Sequence, residues 1–462
     1  MRGMLILAAC LLGMPAFAQA PPIAPPRSGV LPLPQGTRIL TLGEAEQLLL
    51  DRNLIVIAAQ RGVDAVRAQR LVASSLPPPT LSAGNTFGEF RETRNDGVQG
   101  ARFRGPNTNV QVGLTVLVEL GGKRTLRTRL AEENIAVAEA QVLDALRGQF
   151  FVLRQAFIAA LGARANLEVA LANRGSLDRT ETLLRRQLQD GALPEGDLLR
   201  FQASRLPFEA EVGNAAQSYA ASVAQVAVAL ALDAAAFAPA RPGSLPPVAL
   251  DVRGRFDAMP TPGATREELA DAVRNRADVV AASRAAAAGA ANTSLAEAQR
   301  WRDVTVNGGW NRTQLSQDQP NSTQPLIANN QFGLNLSVPI FTDRIVRGNI
   351  GTAAGQQAQL EAQARLALLQ GRADFATAWA AYEQSRALLR LFTGGALTRA
   401  EQAYRSAEQA YLAGGRSLLD VLDALRTLNA TRVAGNNARV AYLTALAQLE
   451  FATGVGGVAP RL

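Results

Sequence analysis

The chain repeats itself. Gly191-Ala-Leu-Pro-Glu-Gly-Asp197-Leu-Leu199 in the first half is answered by Gly414-Gly-Arg-Ser-Leu-Leu-Asp420-Val-Leu422 in the second, each with a glycine six positions before an aspartate, at an offset of 223. Leu-Leu-Asp-Arg-Asn at 49–53 matches Ala-Val-Arg-Asn-Arg at 272–276, and Val-Glu-Leu-Gly-Gly-Lys-Arg at 118–124 matches Pro-Ile-Phe-Thr-Asp-Arg at 339–344. A duplication over the whole length confines the fold to two copies of one unit. The boundaries read as a leader at 1–20, a proline-rich segment at 21–40, a first repeat at 41–235, a proline-rich linker at 236–263, a second repeat at 264–455 and a tail at 456–462.

Each unit reads as helix, two strands, long helix, turn, helix. The opening helix spans Thr41 to Ser74, with Leu42, Ala45, Leu49 and Leu50 at helical spacing, until Pro77-Pro78-Pro79 stops it. Strands follow at 80–90 and 107–118. The second of them places Val110, Val112, Leu114 and Val116 on one face, and Phe332, Leu334, Leu336 and Val338 repeat that pattern in the other unit. Segments of about ten alternating residues fit transmembrane barrel strands, and the alternation fits a half-buried soluble sheet equally well. Trp301 and Trp310 bracket a further strand at 304–309, where interfacial aromatics would sit.

No proline occurs between Pro106 and Pro194 or between Pro339 and Pro460. A helix from Arg124 to Asp190 is about 100 Å long at the helical rise, and Ile345 to Ala413 predicts a second of similar length. Alanine, leucine, glutamine and arginine dominate, aromatics make up 5% and histidine is absent. That mixture suits long helices packed closely as coiled coils. Four strands cannot close a barrel alone, and open edges do not persist in lipid. The strands are therefore expected to be shared, with three copies giving a 12-stranded barrel.

The N-terminus MRGMLILAACLLGMPAFAQA has the basic residue, apolar run and small-residue site of a secretory leader. Cleavage after Ala18 or Ala20 leaves no cysteine, which excludes disulfides, thiolate metal sites and a cysteine nucleophile. Cys10 in Leu-Ala-Ala-Cys fits a lipobox as well. No later segment has the roughly 20 apolar residues that a membrane helix needs. The net charge of +8 comes from arginines interspersed with glutamates, the pattern of a solvated helix surface and not of a nucleic-acid patch. Neither a Gly-x-Ser-x-Gly elbow nor a phosphate-binding loop is present. We therefore expect no catalytic residue, no metal ligand set and no cofactor.

The order of elements, taken twice, resembles the TolC family of outer-membrane efflux channels. That resemblance implies a mainly α fold with a transmembrane β-barrel. A homotrimer shares 12 strands in the outer-membrane lipid of a Gram-negative bacterium, and a helical tunnel continues through the periplasm. It also implies two partners, a periplasmic adaptor and an inner-membrane transporter of the RND (proton-driven) or ABC (ATP-driven) type. The turn glycines Gly191, Gly414 and Gly415 become hairpin tips. Tyr411, Arg416, Asp420 and Asp423 match the second-repeat tip of the family, which implies that Tyr411 and Arg416 hold the entrance shut with Asp197 as partner. Asp420 and Asp423, three apart on one helix face, would line the constriction. Spacing alone allows them to be first-turn residues that stabilise a helix start. The first repeat departs from the pattern, with Pro194 and Gly196 in its turn and no arginine. Glu119-Leu-Gly-Gly-Lys-Arg124 resembles the heavy-metal branch. The outer component of a type I secretion system and a pore-less periplasmic scaffold are the alternative readings.

Overall fold

The computed structural model describes residues 38–88, 102–103, 107–191, 194–232, 250–257, 259–315, 317–318, 327–413 and 415–462. The leader, Cys10 and Gly414 lie outside the described residues.

Each repeat opens with a reciprocal cap. Thr41 Oγ1 accepts the Glu44 backbone N–H while Glu44 accepts that of Thr41, and Thr265 with Glu268 does the same in the second repeat. The helix expected over 41–74 is in fact two, α1 (Leu42–Arg52) and α2 (Leu54–Ser74). Asn53 breaks it. Its buried carboxamide oxygen accepts the backbone N–H groups of Ile55 and Val56, so the side chain competes with the helix ladder and starts a new helix. Its amide donates to Gln149 and to the Ala229 carbonyl, each at 3.0 Å.

In the second repeat α5 (Arg266–Ala272) and one 3-10 turn lead to Arg276 and then α6 (Ala277–Ala298). Arg276 has the same extended backbone as Asn53, is also buried, and donates to the Ala452 carbonyl. Residues 53 and 276, and their acceptors 229 and 452, stand at one offset of 223. The arginine differs in needing two carboxylates, Asp278 at 2.6 Å and Asp374 at 2.9 Å, to offset its buried charge.

Two short strands were not legible in the sequence. β1 (Arg38–Leu40) pairs in parallel with β5 (Leu250–Val252), inside segments read as proline-rich connections. Three residues are too few to show a period, and burial of Leu40, Leu250 and Val252 against Leu153, Phe157 and Val223 holds them. Tyr219 ties this sheet to the helices by donating to Asp251 and accepting from the Val252 N–H. Burial, followed by the Asp251 carboxylate, pushes its hydroxyl up to about 12.

The main sheet has the order β2 (Thr80–Gly88), β4 (Asn107–Val118), β6 (Val304–Leu315), β8 (Ile327–Ser337), antiparallel throughout. A two-residue pair, β3 (Arg102–Phe103) with β7 (Gln317–Asp318), lies beside it in the chain. β6 runs beyond the expected 304–309 because the alternation continues through Trp310. The register aligns Ala83, Val112, Trp310 and Phe332 in one row, and Leu81, Leu114, Gly308 and Leu334 in the next. Val116, Val306 and Leu336 form a third. The other face carries Gln111, Asn311 and Gln331, then Thr115, Asn307 and Asn335, with Ser82, Gly113, Gly309 and Gly333 between them. Phe332 is 83% exposed and Leu334 76%, so the apolar face has no cover from the described residues of its own chain.

From the sheet the chain enters α3 (Lys123–Gln189), 67 residues without a break. It packs on α2 and α4 (Glu195–Ala229) of its own repeat and on α6 and α9 (Leu418–Thr453) of the other. The second long helix departs from expectation. α7 (Asp343–Leu391) gives way at Phe392–Ala396 to a π turn, in which Gly395 takes φ +106°, before α8 (Leu397–Leu412). Close contact depends on small residues, for a Cβ on Gly162 would run into Val440 Cγ2. The last residues are also packed, with Val458 and Ala459 buried and the Ala459 N–H bound to Glu450.

Asn53→Ala removes two backbone caps and leaves the Ala229 carbonyl without its donor, so we expect a loss of about 2–4 kcal/mol. Thermal unfolding of the detergent-solubilised protein checks it, with exposed Asp64→Ala as a neutral reference.

Candidate functional site at the helix tips

α3 ends at Asp190, and Gly191, with φ +73°, turns the chain towards α4, whose first turn carries Glu195 and Asp197. At the other tip α8 ends beside Ala413, and the Gly415 N–H bonds the Ala410 carbonyl at 2.9 Å. Ser417 then caps α9. The two tips share one core: Leu184, Leu198 and Phe201 of the first meet Leu422 and Leu425 of the second, with Tyr404 and Tyr411 packed against them.

Tyr411 is half-buried there. Burial, and then the Asp197 carboxylate, push its hydroxyl up, so the structure places these two predicted residues within electrostatic reach of each other. Arg416 is exposed, and among the described residues it forms no ion pair with Asp197, whose nearest cation is Arg200 at 3.8 Å. Asp420 and Asp423 lie on the exposed side of α9, opposite the buried Val421, Leu422 and Leu425. Asp420 also serves its own helix, since its carboxylate accepts from the Ser417 N–H at 3.1 Å and Oγ at 3.0 Å. The first-turn reading is therefore realised for Asp420, and it leaves the charge at the surface. Asp423 makes no side-chain hydrogen bond or ion pair with the described residues.

The strongest electrostatic feature near the tips escaped sequence reasoning. Arg205 of α4 reaches across the first hairpin to Glu181 at 2.6 Å and Asp178 at 2.5 Å, and along its own helix to Glu209 at 2.7 Å. Glu181 also accepts from Arg185 and Gln202. These bonds, Arg185 first and then Gln202, hold its carboxyl at about 2. The signal in the sequence, Glu-to-Arg spacings of four, shows pairs along a helix and says nothing about which face across the hairpin. The positions 223 further on are Tyr404 and Leu428, so the second hairpin lacks this lacing at the same level. Among the described residues it has one crossing ion pair instead, Arg432 to Glu401 at 2.9 Å.

The sequence profile of the outer membrane efflux protein family matches residues 269–455, which is the second repeat from α5 to the end of α9. The second repeat therefore carries the sequence pattern of that family. The chain is 26% identical to the cobalt-zinc-cadmium resistance protein CzcC of Cupriavidus metallidurans, over 88% of this chain and 87% of that protein. It is 25% identical to the outer membrane protein TolC of Vibrio cholerae, over 87% and 88%. The solved structure of CusC shares the fold at a TM-score of 0.68, covering 90% of this chain and 92% of its own at 17% identity.

Within this fold, the Glu119-Leu-Gly-Gly-Lys-Arg124 run has a structural explanation. Gly121 and Gly122, both with positive φ, turn β4 into α3, and Trp301 sits so closely that a Cβ on Gly121 would be 2.6 Å from its ring. Glu119 pairs with Arg127, and Asp303 accepts from Lys123 at 2.8 Å and from the Leu120 N–H. The motif shapes a junction between strand and helix.

Glu181 is ionised in the folded state far below its ordinary value of 4.5. Its stabilising contribution is full above about pH 4.5 and is lost as the pH falls towards about 2. Glu181→Gln should therefore flatten the loss of stability between those limits, measured by denaturant titration at fixed pH values. Superimposable profiles for the two proteins would remove the role assigned to this carboxyl.

Proposed function

We propose that three copies of this chain form an outer-membrane exit duct, passive in itself, through which cargo delivered from the inner membrane leaves the cell. The observation that carries this reading is the four-stranded sheet: apolar on one face, lined with Asn, Gln, Thr and Gly on the other, and unpaired along β2 and β8 among the described residues. Lipid outside and water inside satisfy both faces. The strands alternate in direction, so β8 of one copy meets β2 of the next antiparallel. Two copies would give an eight-stranded barrel, too narrow to leave a lumen, whereas larger barrels enclose a channel. Three give 12 strands.

The helices extend that lumen away from the membrane by about 100 Å, and the tips at their far end form the periplasmic entrance. Three copies present six carboxylates from Asp420 and Asp423, which attract cations and repel anions as acidic rings do in cation channels. Tyr411, close to Asp197, and exposed Arg416 contribute contacts that keep the entrance narrow. Exposed pairs of this kind are worth about 1 kcal/mol or less, which suits an entrance that must open. The partners are a periplasmic adaptor docking on the tips and an inner-membrane transporter that supplies the energy. The cargo is small molecules or metal cations, the latter supported by the resistance named for CzcC.

Conductance of the purified trimer in a planar bilayer tests both parts. We expect low, cation-selective conductance, blocked by multivalent cations from the tip side and relieved in Asp420→Asn/Asp423→Asn. Asparagine keeps an oxygen for the Ser417 cap, so loss of block reports on charge and not on fraying. No conductance refutes the duct, and unchanged block refutes the acidic ring.

A further inference from the structure

The rim at which the second repeat leaves the sheet carries charge of one sign. β6 begins at Val304 and β8 ends at Ser337. Beside those two ends lies a hollow of about 490 Å³, bordered by Arg300 and Arg302 after α6 and by Thr342, Asp343, Val346 and Arg347 at the start of α7. Arg302 donates to Asp343 at 2.9 Å, so the one carboxylate of the lining is taken. Arg300 and Arg347 are exposed and make no hydrogen bond or ion pair with the described residues. Three guanidinium groups thus face one carboxylate. Elsewhere in the chain, arginines such as Arg205 and Arg276 are held by two or more acids each. The junction of the first repeat pairs Lys123 with Asp303 and Arg127 with Glu119, whereas the second pairs only Arg302.

The same rim is apolar and uncovered towards the strands. Arg302 stands two residues before Val304, on the alternation that places Val304 and Val306 on the apolar face of the sheet. Val338 and Ile340 continue the row of Leu336 past the end of β8, and both are exposed. Phe341 is 88% exposed and takes φ +58°, a left-handed backbone that a bulky side chain rarely adopts. Contacts within the described chain do not repay that strain. In the duct, the helix-side end of the sheet stands where hydrocarbon gives way to headgroups, the level at which aromatic rings collect. Lipid therefore meets both halves of the rim, acyl chains beside Ile340 and Phe341 and phosphate beside the arginines.

We propose that this hollow binds the phosphate of an anionic phospholipid from the periplasmic leaflet, one per chain, with Arg300 and Arg347 donating to its oxygens. The site rests on the duct reading, which puts this rim in the membrane, and adds a lipid held at a defined place. Guanidinium groups suit phosphate because their planar donors match two of its oxygens at once. The sign of the headgroup follows from the lining. A zwitterionic headgroup brings an ammonium that needs a carboxylate, and Asp343 is already held by Arg302. An anionic headgroup brings no such demand and offsets the two unpaired arginines.

The test is native mass spectrometry of the detergent-solubilised protein, titrated in parallel with phosphatidylglycerol and phosphatidylethanolamine. The wild type should bind the anionic lipid about thirtyfold more tightly, as two basic residues at a lipid surface predict. Arg300→Gln/Arg347→Gln should lose that preference, Arg300→Lys/Arg347→Lys should keep it, and Arg274→Gln, on an exposed side chain at the far end of α6, should match the wild type. The comparison of two lipids on the wild type needs no variant to fold. An unaltered preference in the glutamine pair overturns the roles of Arg300 and Arg347. Displacement of the lipid by millimolar inorganic phosphate assigns the hollow to the free ion and overturns the lipid. A conducting wild-type trimer that binds both lipids equally overturns the site and leaves the duct standing. A wild-type protein that forms no trimer and conducts nothing overturns the duct and the site with it.

Discussion

A sheet cannot end in lipid. Along the outer edges of β2 and β8 every second backbone amide and carbonyl lacks a partner among the described residues, and each such group costs several kcal/mol away from water. This one constraint organises the rest. In the proposed duct it makes the single chain an incomplete object, fixes the direction in which its neighbours must lie, and turns a modest four-stranded sheet into a fraction of a wall. The apolar rows through Val112, Trp310 and Phe332 would then need no cover from the chain itself, because the solvent on that side of the duct would be hydrocarbon.

Below the sheet a different problem arises, that of holding helices of great length in fixed phase. The chain solves it twice with different chemistry at one geometric point. Asn53 and Arg276 each interrupt the opening helix and each bind the carbonyl near the end of the last helix of their repeat. The amide is neutral and sits there at little cost, whereas the guanidinium draws Asp278 and Asp374 around it. Duplication preserved the joint and not the residue. The same divergence separates the hairpins, one laced through Glu181 and Arg205, the other holding Tyr404 and Leu428 at those positions.

Much of this was legible in the sequence because it is periodic. The alternation Val110 to Val116 and Phe332 to Val338 gave strands, proline-free runs gave the helices, and the glycine-to-aspartate spacing gave the turns. What escaped were features that depend on partners distant in the chain. β1 and β5 exist only because each is the other's neighbour. The break at Asn53 requires Ala229 and Gln149, and the lacing at Glu181 requires the hairpin to have formed. At the tip, sequence alone offered two roles for Asp420, and the Ser417 cap shows that the helix-start role is real. Asp423, without a side-chain partner among the described residues, is the more singular of the two.

The π turn at Phe392–Ala396 has its own consequence. From Phe157 to Asp197 is 40 residues, and from Tyr382 to Asp420 it is 38. In an unbroken helix two missing residues would rotate everything beyond them by about 200° and swing the apolar stripe of α8 away from the core. The break in the ladder, with Gly394 and Gly395 outside the helical region, frees α8 from the phase of α7. Its corollary is that one unbroken hydrogen-bond ladder joins the first tip to β4, whereas the path from the second tip back to β8 passes through the break at Gly395.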